Sequence, residues 1–449
     1  MTADKEAMTW SYHPDLLARP VPRYTSFPTA AEFREDVGAL DMAEALDTVA
    51  PDAAISLYLH VPYCHDICWY CGCNTGRANR SGRLGAYSKR LGEEIDLVAR
   101  QLAGRGRVAR IAWGGGSPNA LDPAQFAALM ARVRDAFACD HAVVSMELDP
   151  RGFDAAWIDT LAAAHVTRAS LGVQTFEPAL QAAIGRVQPL EDIERAVDWL
   201  RAAGVGSLNF DLMYGLPGQD IAALDRTLDT ALSLGPDRLA VFGYAHVPHM
   251  IARQRQIDAA ALPGAATRFE QARHAHDRLT GAEEWQAVGF DHFALGHDPL
   301  AIAARDGTLR RNFQGFTDDR ADVLIGLGAS SISQFPGALL QNEKNTGRYH
   351  LRIGNGGFAT ARGIHRSDTD RRRAAIIESL LCRGEAVIEG LPDRARVDAA
   401  IAPYAVRELA MWHGRRLVLA PDALPYARGI AAAIDPWRAR EGPRFSSAI

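Results

Sequence analysis

The sequence predicts an α/β fold: a partial, TIM-like (β/α)6 barrel with an N-terminal arm and a mostly helical C-terminal domain. Three observations carry this prediction. Between Ile55 and about Pro248, short β-rich runs alternate with helical patterns, which implies parallel pairing through right-handed crossovers. Each run ends on a chemically unusual group, and barrel enzymes assemble their sites from the C-terminal ends of successive strands. After about Leu300 the alternation stops and longer helical patterns replace it.

The strands are read at "ISLYLHV" (55–61), "VARIAWG" (108–114), "AVVSMELDP" (142–150), "TRASLGVQ" (167–174), "SLNFDLMYG" (207–215) and "RLAVFGYAHV" (238–247). A cysteine loop follows the first and "GGGSPN" the second. The third carries Glu147 and Asp149, the fourth ends on Gln174, the fifth holds Asp211, and the sixth runs into "YAHVP". Between them, "DPAQFAALMARVRDAF" (122–137) opens with an Asp cap and a Pro, and "LEDIERAVDWLRAAG" (190–204) closes on a Gly. Residues 1–50 form a lead segment with "RPVPRYTSFPT", whose prolines disfavour regular structure and suggest an arm or lid. Residues 51–300 are the expected barrel. Residues 301–449 are the expected C-terminal domain, where "RRRAAIIESLLCRGEAVIEG" and "ARVDAAIAPYAVRELAMWHG" read as helical.

At 449 residues, 48% hydrophobic and 23% charged, the chain can bury a large core. It has no apolar run near the ~18 residues of a membrane span. The acidic residues near the N-terminus and the lack of an apolar segment there argue against a secretory signal, so a cytoplasmic protein is expected. In that compartment clustered thiols bind metal or do catalysis rather than form disulfides. A net charge of -5 gives no reason to expect nucleic acid.

"HVPYCHDICWYCGCNT" (60–75) holds four of the six cysteines, spaced C-x3-C-x2-C-x-C. Thiolates hold iron–sulfur clusters. If Cys64, Cys68 and Cys71 hold three irons of a 4Fe-4S cluster, the fourth iron stays open to a small molecule. The alternatives are a structural zinc site on all four thiolates and a saturated electron-transfer cluster using Cys73. Cys139 and Cys382, in helical patterns, read as core thiols. The glycines of "WGGGSPNAL" (113–121) let backbone approach a ligand, although a plain strand-to-helix turn has the same signature. Glu147, Gln174 and Asp211 are polar groups at the ends of apolar strands. Each needs a partner if buried, and their recurrence at equivalent positions favours a site. Arg186 taken alone reads as a solvated charge, and His246 and His292 as packed histidines.

C-x3-C-x2-C with an aromatic, Tyr70, before the last cysteine resembles the signature of the radical S-adenosylmethionine (SAM) enzymes. That resemblance implies SAM chelating the open iron and, after one-electron reduction, a 5′-deoxyadenosyl radical. Beyond it, the chain from "RPVPRYTSFPTA" (19–30) through "SLYLHVPYCHDICWYCGCN", "WGGGSPNAL", "ELDPR", "SLGVQTF", "NFDLMYGLPGQ", "FGYAHVP", "VGFDHFA" and "RRNFQGFT" (310–317) to "RFSSAI" resembles the oxygen-independent coproporphyrinogen III dehydrogenase (oxidase) family. The resemblance implies oxidative decarboxylation of two propionates of coproporphyrinogen III to vinyls, giving protoporphyrinogen IX in haem synthesis. It implies that Cys64, Cys68 and Cys71 hold the cluster and Cys73 does not. Tyr58, Gly115 and Glu147 match contacts to a first SAM, with Ile332 a further one. Tyr70, Gly116, Ser117, Gln174, Arg186, Asp211 and Ala245 match contacts to a second SAM. A flavodoxin or ferredoxin is the implied electron donor, and the chain is expected to work as a monomer.

A substrate with four propionates calls for arginines, and Arg23 and Arg311, in the two most family-specific segments, are the candidates. Ser117 stands where the family often has Thr, and Gly243 where some members carry a polar residue. Two related functions compete: a haem carrier on the same barrel, whose members lack the arm and the fourth cysteine, and a radical enzyme that methylates or opens haem.

Overall fold

The computed structural model describes residues 10–78, 81–281 and 283–439; the "RFSSAI" motif lies outside them. Six parallel strands run in chain order: β1 (Ala54–Val61), β2 (Arg107–Gly115), β3 (Val143–Leu148), β4 (Val166–Gln174), β5 (Ser207–Tyr214) and β6 (Arg238–Gly243). Their principal helices are α1 (Ser81–Leu102), α2 (Pro123–Ala136), α3 (Trp157–Ala163), α4 (Leu190–Ala202), α5 (Ile221–Ser233) and α6 (Ala265–Thr280). α2 begins at the expected cap: Asp122 accepts from the Gln125 amide at 2.8 Å, and Gln125 reaches back to the Asp122 amide at 3.2 Å. α4 stops just ahead of Gly204, which takes φ +90°.

The sheet does not stop near residue 300, where the alternating pattern does. β7 (Trp285–Val288) and β8 (His292–Leu295) add antiparallel strands beyond β6. β9 (Val323–Leu327) returns to pair in parallel with β1, followed by antiparallel β10 (Ile332–Phe335), β11 (Ala338–Asn342) and β12 (Thr360–His365). The result is one 12-stranded sheet that ends on β12 and β7 and is therefore open. Strands joined as tight hairpins lack crossover helices, so the helix–strand alternation that marks a βαβ unit is missing from 323–365. The helical region begins at α7 (Asp368–Arg383), and α8 (Arg394–Ala405) follows, both packing on the short helix Ala427–Ala432. Both stretches read as helical run on into strands. Gly384, at φ +69°, ends α7, and Glu385–Val387, Ala410–His413 and Arg416–Leu419 form a small three-stranded sheet.

Burial alternates along the barrel strands. Val144, Met146, Leu171, Leu208 and Phe210 are buried beneath the helices. The opposite face of the strands, with Ser145, Glu147, Arg168, Ser170, Asn209 and Asp211, lines an interior cavity of about 320 Å³. A polar ion layer crosses this cavity: Asp318 lies 2.6 Å from Arg110 of β2 and 2.7 Å from Arg168 of β4. The lead segment is ordered as an arm. Trp10, Leu17, Val21, Tyr24 and Phe27 are buried in the main core. Arg34 exchanges backbone hydrogen bonds with Gly363 of β12, and the Tyr24 hydroxyl donates to Asp435 at 3.0 Å.

Candidate active site

β1 delivers the chain into the cysteine loop. The loop is tied by backbone bonds from Gly76 to Pro62 (2.9 Å) and from Trp69 to Ile184 (3.0 Å), and by the Gln254 amide on the Tyr70 carbonyl (2.9 Å). Cys68 is buried, Cys64 and Cys71 are half-buried, and Cys73 is exposed. Arg151 and Arg186 each donate to Cys68 Sγ at 3.2 Å and share the Asp149 carboxylate at 2.7 and 3.1 Å. Burial pushes the Cys64 thiol up to about 12, and Cys71 adds to that. The hydrogen bond from the Cys73 thiol brings Cys71 down to about 6. Among the described residues no three His, Cys, Asp or Glu side chains converge on a single-ion position.

The glycine turn after β2 presses against this loop. Gly115 has φ +113°, and a Cβ there would lie 2.6 Å from the His60 ring; a Cβ on Gly116 would lie 2.5 Å from the Tyr63 carbonyl. Ser117 accepts from the Asp149 amide at 3.1 Å, which joins the turn to the arginine–thiol group. Glu147 makes one hydrogen bond among the described residues, a 3.3 Å contact from the Gly115 amide. Burial, and then the Asp211 charge, raise its carboxyl to about 7. A carboxylate this enclosed and this poorly partnered fits a cationic ligand such as the amino group of SAM.

The other expected residues gather around the same strand ends. Gln174, buried, closes β4 at φ +70°, a region a non-glycine residue rarely occupies. Asp211 accepts from Ser170 at 3.0 Å and Asn209 at 2.9 Å, and burial raises its carboxyl. The Tyr58 hydroxyl meets His60 Nδ1 at 3.1 Å. Tyr70 packs among Leu180, Ile184 and Tyr244, and the Ala245 carbonyl accepts from Gln254 at 3.0 Å. Ile332 lies on β10, its side chain against Phe33 and Leu339; its backbone approaches Gly326, the register partner of Tyr58. His246 and His292 pair with Tyr244 and Asp291, as packed histidines do.

Arg23 donates to the Gly243 carbonyl at 3.3 Å. Arg311 gives Nε to the Tyr24 carbonyl (3.2 Å) and Nη2 to the Arg23 carbonyl (3.0 Å), so it grips the arm's backbone. Sequence reasoning missed the roles of Asp149 and Arg151 at Cys68. Their signal is the charged pair in "ELDPR" directly after a strand.

A barrel with a thiol loop over β1, a glycine turn and an under-partnered carboxylate describes a radical SAM enzyme, and the family model of the Radical SAM superfamily matches residues 58–231. The likeness extends well past the barrel. The chain is 42% identical over 424 residues, 92% of this chain and 94% of the relative, to the oxygen-independent coproporphyrinogen III oxidase of Bradyrhizobium diazoefficiens. It is 47% identical over 367 residues to that of Paracoccus denitrificans, covering 81% and 80% of the two chains. The solved structure of the coproporphyrinogen III oxidase of Escherichia coli, a radical SAM enzyme, matches with a TM-score of 0.88 at 34% identity, over 95% of this chain and 99% of that one. The chain belongs to the oxygen-independent coproporphyrinogen III oxidase family. It is an oxidoreductase whose cofactors are a 4Fe-4S cluster and SAM.

Proposed function

We propose that this chain converts two propionate side chains of coproporphyrinogen III to vinyl groups, giving protoporphyrinogen IX in haem synthesis. The observation that carries this reading is the meeting of the arm with the "RRNFQGFT" hairpin through Arg311. These are the two segments that set the resemblance apart from other radical SAM proteins.

In this reading Cys64, Cys68 and Cys71 ligate three irons, and Arg151 and Arg186 offset the negative charge at Cys68. Glu147 receives the amino group of one SAM, with Tyr58, Gly115 and Ile332 around it. Tyr70, Gly116, Ser117, Gln174, Arg186, Asp211 and Ala245 surround a second SAM. When bound, the cluster and cofactor would supply the radical chemistry that removes a hydrogen from the propionate β-carbon, with carbon dioxide lost and one further electron passed to an external electron acceptor as the vinyl forms. The chain's own part is to hold the reacting propionate at the barrel mouth and keep solvent away from it. The electron donor is a small flavodoxin- or ferredoxin-like protein, and the chain acts as a monomer.

The test is an anaerobic assay of reconstituted, dithionite-reduced protein with SAM and coproporphyrinogen III. One deoxyadenosine per vinyl group, with both products absent in Cys64→Ala, is the expected result. Deoxyadenosine without any vinyl product would leave the radical chemistry standing and remove this substrate.

A further inference from the structure

A pocket beside the barrel gathers positive charge. Arg23 of the arm, Tyr214 at the end of β5, Gly243 at the end of β6, Arg268 of α6, Asp291 and Arg428 line it. Its volume is about 60 Å³, room for a carboxylate and its methylene arm but not for a macrocycle.

Several enclosed arginines elsewhere are paired with a carboxylate: Arg168 with Asp318, Arg186 with Asp149, Arg238 with Asp298, Arg373 with Asp393. Here Arg23 and Arg268 donate to the carbonyls of Gly243 and Tyr244, and among the described residues neither forms an ion pair. The acid in the wall, Asp291, lies 2.6 Å from His292 Nδ1. Burial, and then the charge of Arg23, push Arg428 down to about 10 and lower Arg268 as well. The guanidiniums lie over aromatic faces, Arg23 at 5.2 Å from the Phe242 ring and Arg428 at 5.5 Å from Phe290. Such stacking fixes the plane of the fork and leaves in-plane N–H groups for an oxygen ligand. Trp10 Nε1 and Arg268 Nε, both in residues of this wall, are buried without a hydrogen-bond partner.

Gly243 keeps the space open. A Cβ there would stand 2.8 Å from the Tyr214 hydroxyl and 3.2 Å from Arg268 Nη2. Phe242 faces both this pocket and the barrel cavity, so a group seated here is one ring's thickness from the interior.

We propose that Arg23, Arg268 and Arg428 bind a carboxylate of a non-reacting propionate of the tetrapyrrole, in a seat that Gly243 keeps clear. This rests on the substrate reading above. The seat holds the macrocycle by its edge, with a pyrrole against Phe242, while another propionate enters the barrel. Arg311 is a positioning residue that places Arg23 through the arm's backbone.

Anaerobic titration calorimetry of the reconstituted holoenzyme, without SAM, with coproporphyrinogen III and with its tetramethyl ester tests this. Arg268→Gln and Arg428→Gln should each weaken coproporphyrinogen binding about 10- to 100-fold. They should shrink its advantage over the ester and leave SAM affinity and substrate-free deoxyadenosine formation unchanged. Lysine at either position should restore part of the loss, because charge returns without the fork. Gly243→Val, whose apolar bulk can make no hydrogen bond to the Tyr214 hydroxyl or to Arg268, should weaken binding while every arginine stays. Wild-type affinity in glutamine variants of unchanged melting temperature overturns the seat and leaves the function intact. Weakened SAM binding instead overturns it by giving the pocket to the cofactor's carboxylate. A wild-type protein that cleaves SAM yet neither binds nor oxidises coproporphyrinogen defeats the substrate reading itself.

Discussion

At Glu147, the enclosure that suits a cationic ligand works against the ligand-free fold. Burial, then Asp211, lifts its carboxyl to about 7, so the folded chain keeps a proton that the unfolded chain releases at lower pH. Stability therefore falls as pH rises from the ordinary carboxylate range toward 7. Ligand-free Glu147→Gln should melt about 2 °C or more above wild type at pH 8 and show little gain at pH 5, by differential scanning calorimetry, while losing SAM binding. An equal gain at both pH values would contradict this. The residue was legible because an acid closing an apolar strand is a local anomaly. The same holds for Cys64, Cys68 and Cys71, whose spacing lies within one loop. Arg268 and Arg428 were not legible. Each sits in a helical pattern, where a charge normally means a solvated face, and only the folded chain brings them against Arg23.

Among elements, the six βα units were readable because crossover helices space them regularly. β9–β12 were not, since hairpins carry no such period. The loop before β9 does work that no pattern announces: its Asp318 neutralises arginines on β2 and β4. Burial acts to raise this carboxyl, but the hydrogen bonds and charges of Arg168 and Arg110 carry it well below the carboxylate range. Its contribution is thus complete at neutral pH and is lost only as pH falls through and below the range where ordinary carboxylates protonate. Asp318→Asn leaves Arg168 without an anion and Arg110 with only its 3.6 Å pair to Asp319, and should cost about 3 kcal/mol in urea denaturation at pH 7, with the difference from wild type shrinking in acid. A difference that held constant down to pH 2 would refute the assignment.

Over the whole molecule, the arm and the C-terminal region clasp each other. The His13 amide donates to the Tyr426 hydroxyl at 2.9 Å, and Tyr24 donates to Asp435. Tyr24→Phe should cost about 1.5–3 kcal/mol and speed amide exchange in residues 10–37, read by mass spectrometry, without changing iron content. Unaltered exchange there would mean that the arm is held by packing alone. The sequence marked the arm by its prolines but could not name its partner, because those bonds join residues 413 and 411 positions apart. That separation orders events on the ribosome. When the barrel and its cysteine loop have emerged, the arm's anchors at Tyr426 and Asp435 have not been made, so the clasp closes last.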